Sequence, residues 1–323
     1  MVRMTADDPG FVPQGYQTLK KLGSGQTSHV YLARNDVHGE VALKLPREEL
    51  RSQPMLQRMF ENEVQITLSL EHENIVRAFE GYPTGAQAFL ALEYCAGGTL
   101  DQLLLERGSL PLEQAVRLIA NVARGLEHSH GQQVLHRDVK PANVFLTTEG
   151  LAKLGDFGTG MFLAETNNDR VGTAFYMAPE IFEGEPATVE SDVYSLGILA
   201  YEVLTGVRPF QGDSYERVMM LHLSGLPKNM RYYREDLPRG LAKVVSLAMS
   251  RDAGRRYQSV RTFLDDFQKV SDRMSREIVP GRAGRKLRVE AERTPETVAE
   301  AREGKDVAGE RQGFFGWFRR KKS

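Results

Sequence analysis

The run His136-Arg137-Asp138-Val139-Lys140-Pro141-Ala142-Asn143, with Asp156-Phe157-Gly158 a short way downstream, constrains this chain more than any other feature. Asp138 is a carboxylate suited to meet a hydroxyl nucleophile. Asp156 and the Asn143 amide are suited to hold magnesium against phosphate oxygens, because magnesium takes oxygen ligands, keeps waters and needs few protein groups. Phosphoryl transfer asks little covalent chemistry of a protein; it asks for in-line positioning and neutralised charge. A fold that uses these residues must bring them, and a cation from elsewhere, around one nucleoside triphosphate.

A cation is available upstream. Val41-Ala42-Leu43-Lys44 reads as a strand whose apolar neighbours turn the Lys44 ammonium towards one face, where it can hold phosphate oxygens. Glu61 and Glu63 lie in the next helix candidate, and either can pair with that ammonium and orient it. Gly23-Ser24-Gly25-Gln26-Thr27-Ser28 lies between two strand candidates, and glycine lets a backbone approach phosphates closely. This loop lacks the Gly-Lys-Ser/Thr ending of a P-loop, and it does not open a helix as a dinucleotide-binding loop does. Alone it is a tight turn. Glycine loop, Lys44, acidic partner, His136–Asn143 and Asp156–Gly158 each occur once and in order, and this coincidence makes a nucleotide site.

The chain has 323 residues, enough for two lobes with a real core, and its formal net charge is −1. Basic residues are scattered among acidic ones until the very end, so nothing favours nucleic acid. Cys95 is the single cysteine, which excludes an internal disulfide and fits a reducing compartment. Met1 to Gly15 carries Asp7, Asp8, Pro9 and Pro13 without an apolar core, unlike a signal peptide. No apolar run reaches the roughly 18–20 residues of a membrane-spanning helix. The expected location is the cytoplasm.

Short segments at Tyr16–Leu22, His29–Arg34 and Glu40–Leu45, broken by glycines, predict antiparallel strands. A helix is expected over Pro54–Leu70, then strands over Val76–Tyr82 and Ala88–Tyr94, and a hinge at Ala96-Gly97-Gly98. From Ser109 the apolar period becomes helical, through Leu112, Val116, Ile119, Ala123 and Leu126. Val193–Leu204 is apolar on nearly all sides, as a central buried helix is. Leu241–Met249 and Val260–Val270 predict further helices. Beyond about Arg273 charged residues and glycine dominate, too few apolar groups remain to offset ordering, and a flexible tail is expected over 274–312. The last segment, 313–323, sets Phe314, Phe315, Trp317 and Phe318 beside Arg319, Arg320, Lys321 and Lys322. It has three readings: a peripheral contact with anionic lipid, a docking peptide for a partner, or a disordered tail with a sticky end.

The chain resembles the eukaryotic-like (Hanks-type) serine/threonine protein kinases, and compact bacterial members in particular, from about Tyr16 to Val270. Motifs outside the nucleotide residues carry the likeness too: Gly172-Thr173 with Ala178-Pro179-Glu180, Asp192-Val-Tyr-Ser-Leu-Gly197, and Arg256. The resemblance implies an α+β, bilobal protein-kinase fold. The extension 1–15 would precede a small antiparallel β lobe of five strands with one helix over 16–94, and a larger, mainly α lobe would cover 95–273.

What the family implies for residues follows the motifs. Leu22 to Val30, with Gly23, Ser24 and Gly25, would form a lid over ATP. Lys44 would hold the α and β phosphates and pair with Glu63, whose spacing to Leu70, His72 and Ile75-Val76 fits the family pattern better than that of Glu61. Backbone groups of Glu93 and Cys95 would bind the adenine edge, with Leu92 behind it and Val30, Ala42 and Leu146 on its faces. Asp138 would be the catalytic base, Lys140 would neutralise the moving phosphoryl, and Asn143 and Asp156 would bind Mg2+, with Mn2+ as an alternative. His136 is expected to pack rather than to act as a base. Thr173 would bond Asp138 and Lys140, which, with the lysine two residues after Asp138, implies Ser or Thr acceptors on protein substrates and autophosphorylation. Arg137 would receive a phosphate from the activation segment, with Thr166 the preferred site. Glu180 would pair with Arg256, and Asp192 belongs to the central helix signature. Ser28 and Ala253 depart from the pattern, in the lid and in the run before Arg256, without touching the chemistry. A pseudokinase has no need to keep Lys44, Asp138, Asn143 and Asp156 together, and a small-molecule kinase would lack Thr173, Glu180 and Asp192 at this spacing. The oligomeric state and the physiological substrate are not written in the sequence.

Overall fold

The computed structural model describes residues 11–48, 50, 53–157 and 172–277. Thr166 and the terminal segment 313–323 lie outside the described residues.

The first third of the described chain makes a five-stranded antiparallel sheet. Strands β1 (Tyr16–Ser24), β2 (Ser28–Asn35), β3 (Gly39–Pro46), β4 (Ala78–Tyr82) and β5 (Phe89–Glu93) stand in the order β1-β2-β3-β5-β4. Val30 pairs with Lys44 and Leu32 with Ala42, so these residues share one face of the sheet. Val30, Leu32 and Ala42, with Leu90 and Leu92 of β5, build an apolar cluster with Phe60 and Val64 of helix α1 (Pro54–Ser69). Pro54 sits at the start of α1, where its missing N–H costs nothing. The alternate residues, Tyr31, Ala33, Val41 and Leu43, form a separate cluster on the opposite face with Tyr16 and Ala91.

The second lobe is mainly helical: α2 (Leu100–Arg107), α3 (Leu112–Gly131), α4 (Pro179–Phe182), α5 (Val189–Thr205), α6 (Tyr215–Ser224), α7 (Arg239–Ala248) and α8 (Val260–Glu277). Its core joins Leu118, Ile119, Val122 and Leu126 of α3 to Val193, Leu196 and Leu199 of α5, with Val245 of α7 and Phe263 of α8. Burying each such side chain contributes about 1.5–3 kcal/mol. The apolar circumference of Val193–Leu204 is explained, since α5 is enclosed on all sides. Thr188 opens α5 with a capping box and Gly206 ends it with φ 77°, a left-handed conformation that glycine takes without strain. Helix α8 runs on to Glu277, past the expected change near Arg273. Among the described residues no helix is long and apolar enough to cross a membrane.

A two-stranded ribbon, β6 (Val144–Leu146) and β7 (Ala152–Leu154), joins the lobes. Val76 N–H donates to Leu154 O at 2.9 Å, and Leu154 N–H donates to Asn74 O at 2.8 Å. Gly97, within the expected hinge, is bound to the ribbon: its N–H donates to Leu146 O at 2.9 Å, and a Cβ there would stand 2.4 Å from Thr147 O.

Candidate active site

The ribbon and the inner face of the sheet bound one cavity. Its lining includes Val30, Ala42, Lys44 and Glu63 from the small lobe, Leu92, Glu93 and Cys95 at the junction, and Phe145, Gly155 and Asp156 from below. Leu22 packs in the same apolar cluster, which closes the cavity beneath the glycine loop. Gly23 and Ser24 end β1, paired with Val30 and His29, and Gly25 N–H donates to Ser28 O at 2.7 Å, so the β1–β2 hairpin bends at Gln26 and Thr27.

Lys44 is 4 % exposed and Glu63 only 1 %, and the two form an ion pair. The ammonium also reaches Asp156 Oδ1 at 2.5 Å. Glu61 instead faces Gln65, so Glu63 is the partner. Burial works against the Lys44 charge, but Asp156 and Glu63 outweigh it and raise its pKa. Burial pushes the Glu63 carboxyl up, against the pull of Lys44. A buried charge is tolerated when paired in this way.

On the other side of the cleft two side chains hold Asp138. Asn143 Nδ2 donates to Asp138 Oδ2 and to Asp138 O, each at 2.9 Å. Lys140 Nζ stands 2.7 Å from the same Oδ2 and 3.0 Å from Thr173 Oγ1. Oδ1 of Asp138 is buried, without a hydrogen-bond partner among the described residues. A second cavity, lined by Arg137, Asp138, Thr173, Tyr176 and Met177 among others, opens on this side.

The backbone here is strained and pinned. Arg137 has φ 67° and Asp156 φ 61°, a region L-residues seldom occupy. His136 bridges the two sites. Its Nε2 lies 2.9 Å from Gly155 O, its Nδ1 accepts the Asp138 N–H at 3.2 Å, and its ring lies 4.6 Å from Phe157. Burial lowers its pKa, and one neutral tautomer, protonated at Nε2, satisfies both bonds. His136 therefore packs and links. Gly155 N–H donates to Asn143 O at 2.9 Å, which sets Asn143 and Asp156 at the same end of the ribbon.

Glu180 takes two 2.7 Å hydrogen bonds from Arg256, and Ser191 adds one at 2.8 Å. Arg137 is half-buried, and its Nε lacks a partner among the described residues. Cys95 is buried, its thiol pushed up to about 12 by burial and Glu93, so it is no ready nucleophile.

One expectation is corrected. Leu146 does not line the nucleotide cavity; it packs in the large-lobe core, and Phe145 lines the cavity instead. Alternation along β6 sends neighbouring side chains to opposite faces, and Val-Phe-Leu is apolar throughout, so composition does not reveal which face is which. His130, which bonds Asp192 at 2.8 Å, was also missed.

A protein kinase domain model matches residues 16–267. The chain belongs to the protein kinase domain family. Within that family it is similar to bacterial Hanks-type serine/threonine kinases. It is 33 % identical over 263 residues to the probable serine/threonine-protein kinase CPE1738 of Clostridium perfringens, covering 79 % of this chain and 38 % of the relative. It is 33 % identical over 273 residues to serine/threonine-protein kinase PknB of Mycobacterium tuberculosis, covering 81 % and 44 %. Against serine/threonine-protein kinase PrkC of Bacillus subtilis it is 30 % identical over 262 residues, covering 80 % and 40 %. The chain thus spans less than half the length of these kinases.

Proposed function

We propose that this chain transfers the γ-phosphoryl group of ATP to Ser or Thr hydroxyls on proteins, itself included. The observation that carries this reading is the convergence of Lys44, Glu63 and Asp156 on one cavity with Asp138, Asn143 and Lys140 beside it. Asp138 accepts the acceptor hydroxyl's proton, and its buried, unpartnered Oδ1 suits that task. Lys140 stands where negative charge develops, and Thr173 steadies it. Lys44, fixed by Glu63, orients the phosphates. The adenine ring lies between Val30 and Ala42 above and Phe145 below, with backbone groups of Glu93 and Cys95 at its edge and Leu92 behind.

The donor set fits magnesium. Asn143 and Asp156 offer oxygen ligands at one end of the ribbon, and no cluster of three His, Cys, Asp or Glu side chains exists among the described residues to cage a softer metal. Bound magnesium would neutralise phosphate charge; Mn2+ accepts the same oxygen ligands. Arg137 receives an activation-segment phosphate, for which Thr166 is our candidate. Thr166→Ala should then lower autophosphorylation.

The deciding experiment presents γ-labelled ATP and peptides that differ only in a central Ser, Thr or Tyr. Label should enter the Ser and Thr peptides. Label confined to Tyr, or to none, contradicts the reading.

A further inference from the structure

Asp192 of the acceptor-side cavity, and Glu180, Glu202 and Asp101 in the residues about it, are committed inside the protein. Asp192 serves the N–H groups of His136 and Arg137 at 2.8 Å. Glu180 is clasped by Arg256. Glu202, on α5, accepts from the Tyr176 hydroxyl through Oε2 and meets Arg208 Nε through Oε1 at 3.3 Å. Asp101, the next acid near Glu202, accepts from Thr99 at 2.5 Å.

Arg208 is placed differently. Its guanidinium lies 4.1 Å over the Phe175 ring, and its side chain stays 39 % exposed, against 13 % for Glu202. The stack and the Nε contact fix the plane of the fork. Among the described residues, neither terminal nitrogen has a hydrogen-bond partner. Phe175 is two residues from Thr173, which Lys140 ties to Asp138, and the next residue, Tyr176, lines the cavity with Asp138. The cation therefore stacks on the 173–177 segment, whose Thr173, Tyr176 and Met177 line the cavity with Asp138.

We propose that Arg208 is a specificity-determining residue that selects acceptor segments carrying an acidic side chain near the phosphorylated Ser or Thr. This rests on the kinase reading above. A peptide carboxylate can complete the fork of Arg208 through charge-assisted hydrogen bonds. A peptide lysine or arginine finds the Glu202 oxygens already engaged and meets a like charge at the rim.

The test uses the full chain, MgATP and three peptide pools with a central Thr flanked by Asp, Asn or Lys, with kcat/KM measured for each. The wild type should favour the Asp pool over the Lys pool by about tenfold. Arg208→Gln combined with Glu202→Gln, which avoids stranding a buried carboxylate, should bring that ratio to about one. Arg208→Lys keeps the charge but loses the planar fork, so it should retain only part of the preference. If the double variant does not fold, Arg208→Lys alone must still lower the ratio. Equal use of the pools by the wild type, a preference for Lys, or an unchanged ratio in the folded variants overturns the assignment of Arg208. Absence of transfer to every pool overturns the kinase reading itself, and the inference with it.

Discussion

Asp192 accepts the backbone N–H of Arg137 at 2.8 Å while Arg137 sits at φ 67°. The same carboxylate takes the His136 N–H through its other oxygen, also at 2.8 Å, and contacts His130. A buried anion on the central helix thus holds a strained backbone turn, and the next residue along the chain is Asp138. Removing it leaves two N–H groups without acceptors. Asp192→Ala should cost about 3–5 kcal/mol in denaturant unfolding. It should lower kcat more than it raises KM for ATP, because the nucleotide cavity lies elsewhere. An unchanged kcat in folded Asp192→Ala would show that the turn needs no such support.

Arg256 and Glu180 make a second long-range clasp beneath the 173–180 segment. The Arg256 side chain is fully buried and Glu180 largely so. Burial pushes the Glu180 carboxyl up, but hydrogen bonds from Arg256 and then Ser191 outweigh it and hold it below the ordinary range. Its folded pKa is depressed, so the stabilisation is present above the ordinary value of 4.5 and is lost as pH falls below it. Arg256→Met should cost about 3–5 kcal/mol at neutral pH, since it strands a carboxylate. In Arg256→Met/Glu180→Leu the acid limb of the stability curve should be shallower than in wild type. Identical acid limbs would remove the clasp from the account.

Phe145 and Leu146 are adjacent and should behave oppositely. Phe145→Ala removes a wall of the nucleotide cavity and should raise KM for ATP about tenfold with a modest fall in melting temperature. Leu146→Ala opens a hole in the large-lobe core and should cost about 3 kcal/mol with KM for ATP little changed. Nucleotide titration and thermal melting separate the two, and reversed behaviour would return the adenine to Leu146.

The contrast marks where sequence stopped. Strands β1 to β3 and helices α1 and α5 were legible because glycine breaks and apolar periods are local signals. The grouping of Lys44 with Glu63 and Asp156 was legible through motifs of fixed order. Side-chain direction in the three-residue strand β6 was not, because an all-apolar strand has no period to read. The β3–β5 pairing, the Asp192 bonds to the catalytic turn and the Arg208–Glu202 contact were also hidden. Each depends on residues that only the folded chain brings together.

His222 offers a pH test outside the nucleotide cavity. It is 2 % exposed, its Nδ1 lies 2.8 Å from the Tyr194 hydroxyl, and Phe182 and Phe210 pack around it. Burial lowers its pKa from 6.5 to about 4. Below pH 6.5 the unfolded chain takes up a proton that the folded chain refuses. Stability should therefore fall by about 3 kcal/mol as pH drops from 6.5 to 4 and lose no more through this group at lower pH. His222→Phe should flatten that limb in unfolding curves taken across the interval. A limb as steep as the wild type's would mean that other groups carry the acid sensitivity.

The central claim is that Asp138 acts on an acceptor hydroxyl while Lys44, Asn143 and Asp156 hold the nucleotide and its metal. The most direct measurement is γ-phosphoryl transfer to a Ser/Thr peptide by wild type and Asp138→Asn, alongside MgATP affinity for both. The account predicts transfer by the wild type, a fall in kcat of about 100-fold or more in the variant, and MgATP affinity within about threefold. Undiminished transfer by Asp138→Asn, or none by a wild type that binds MgATP, would contradict it.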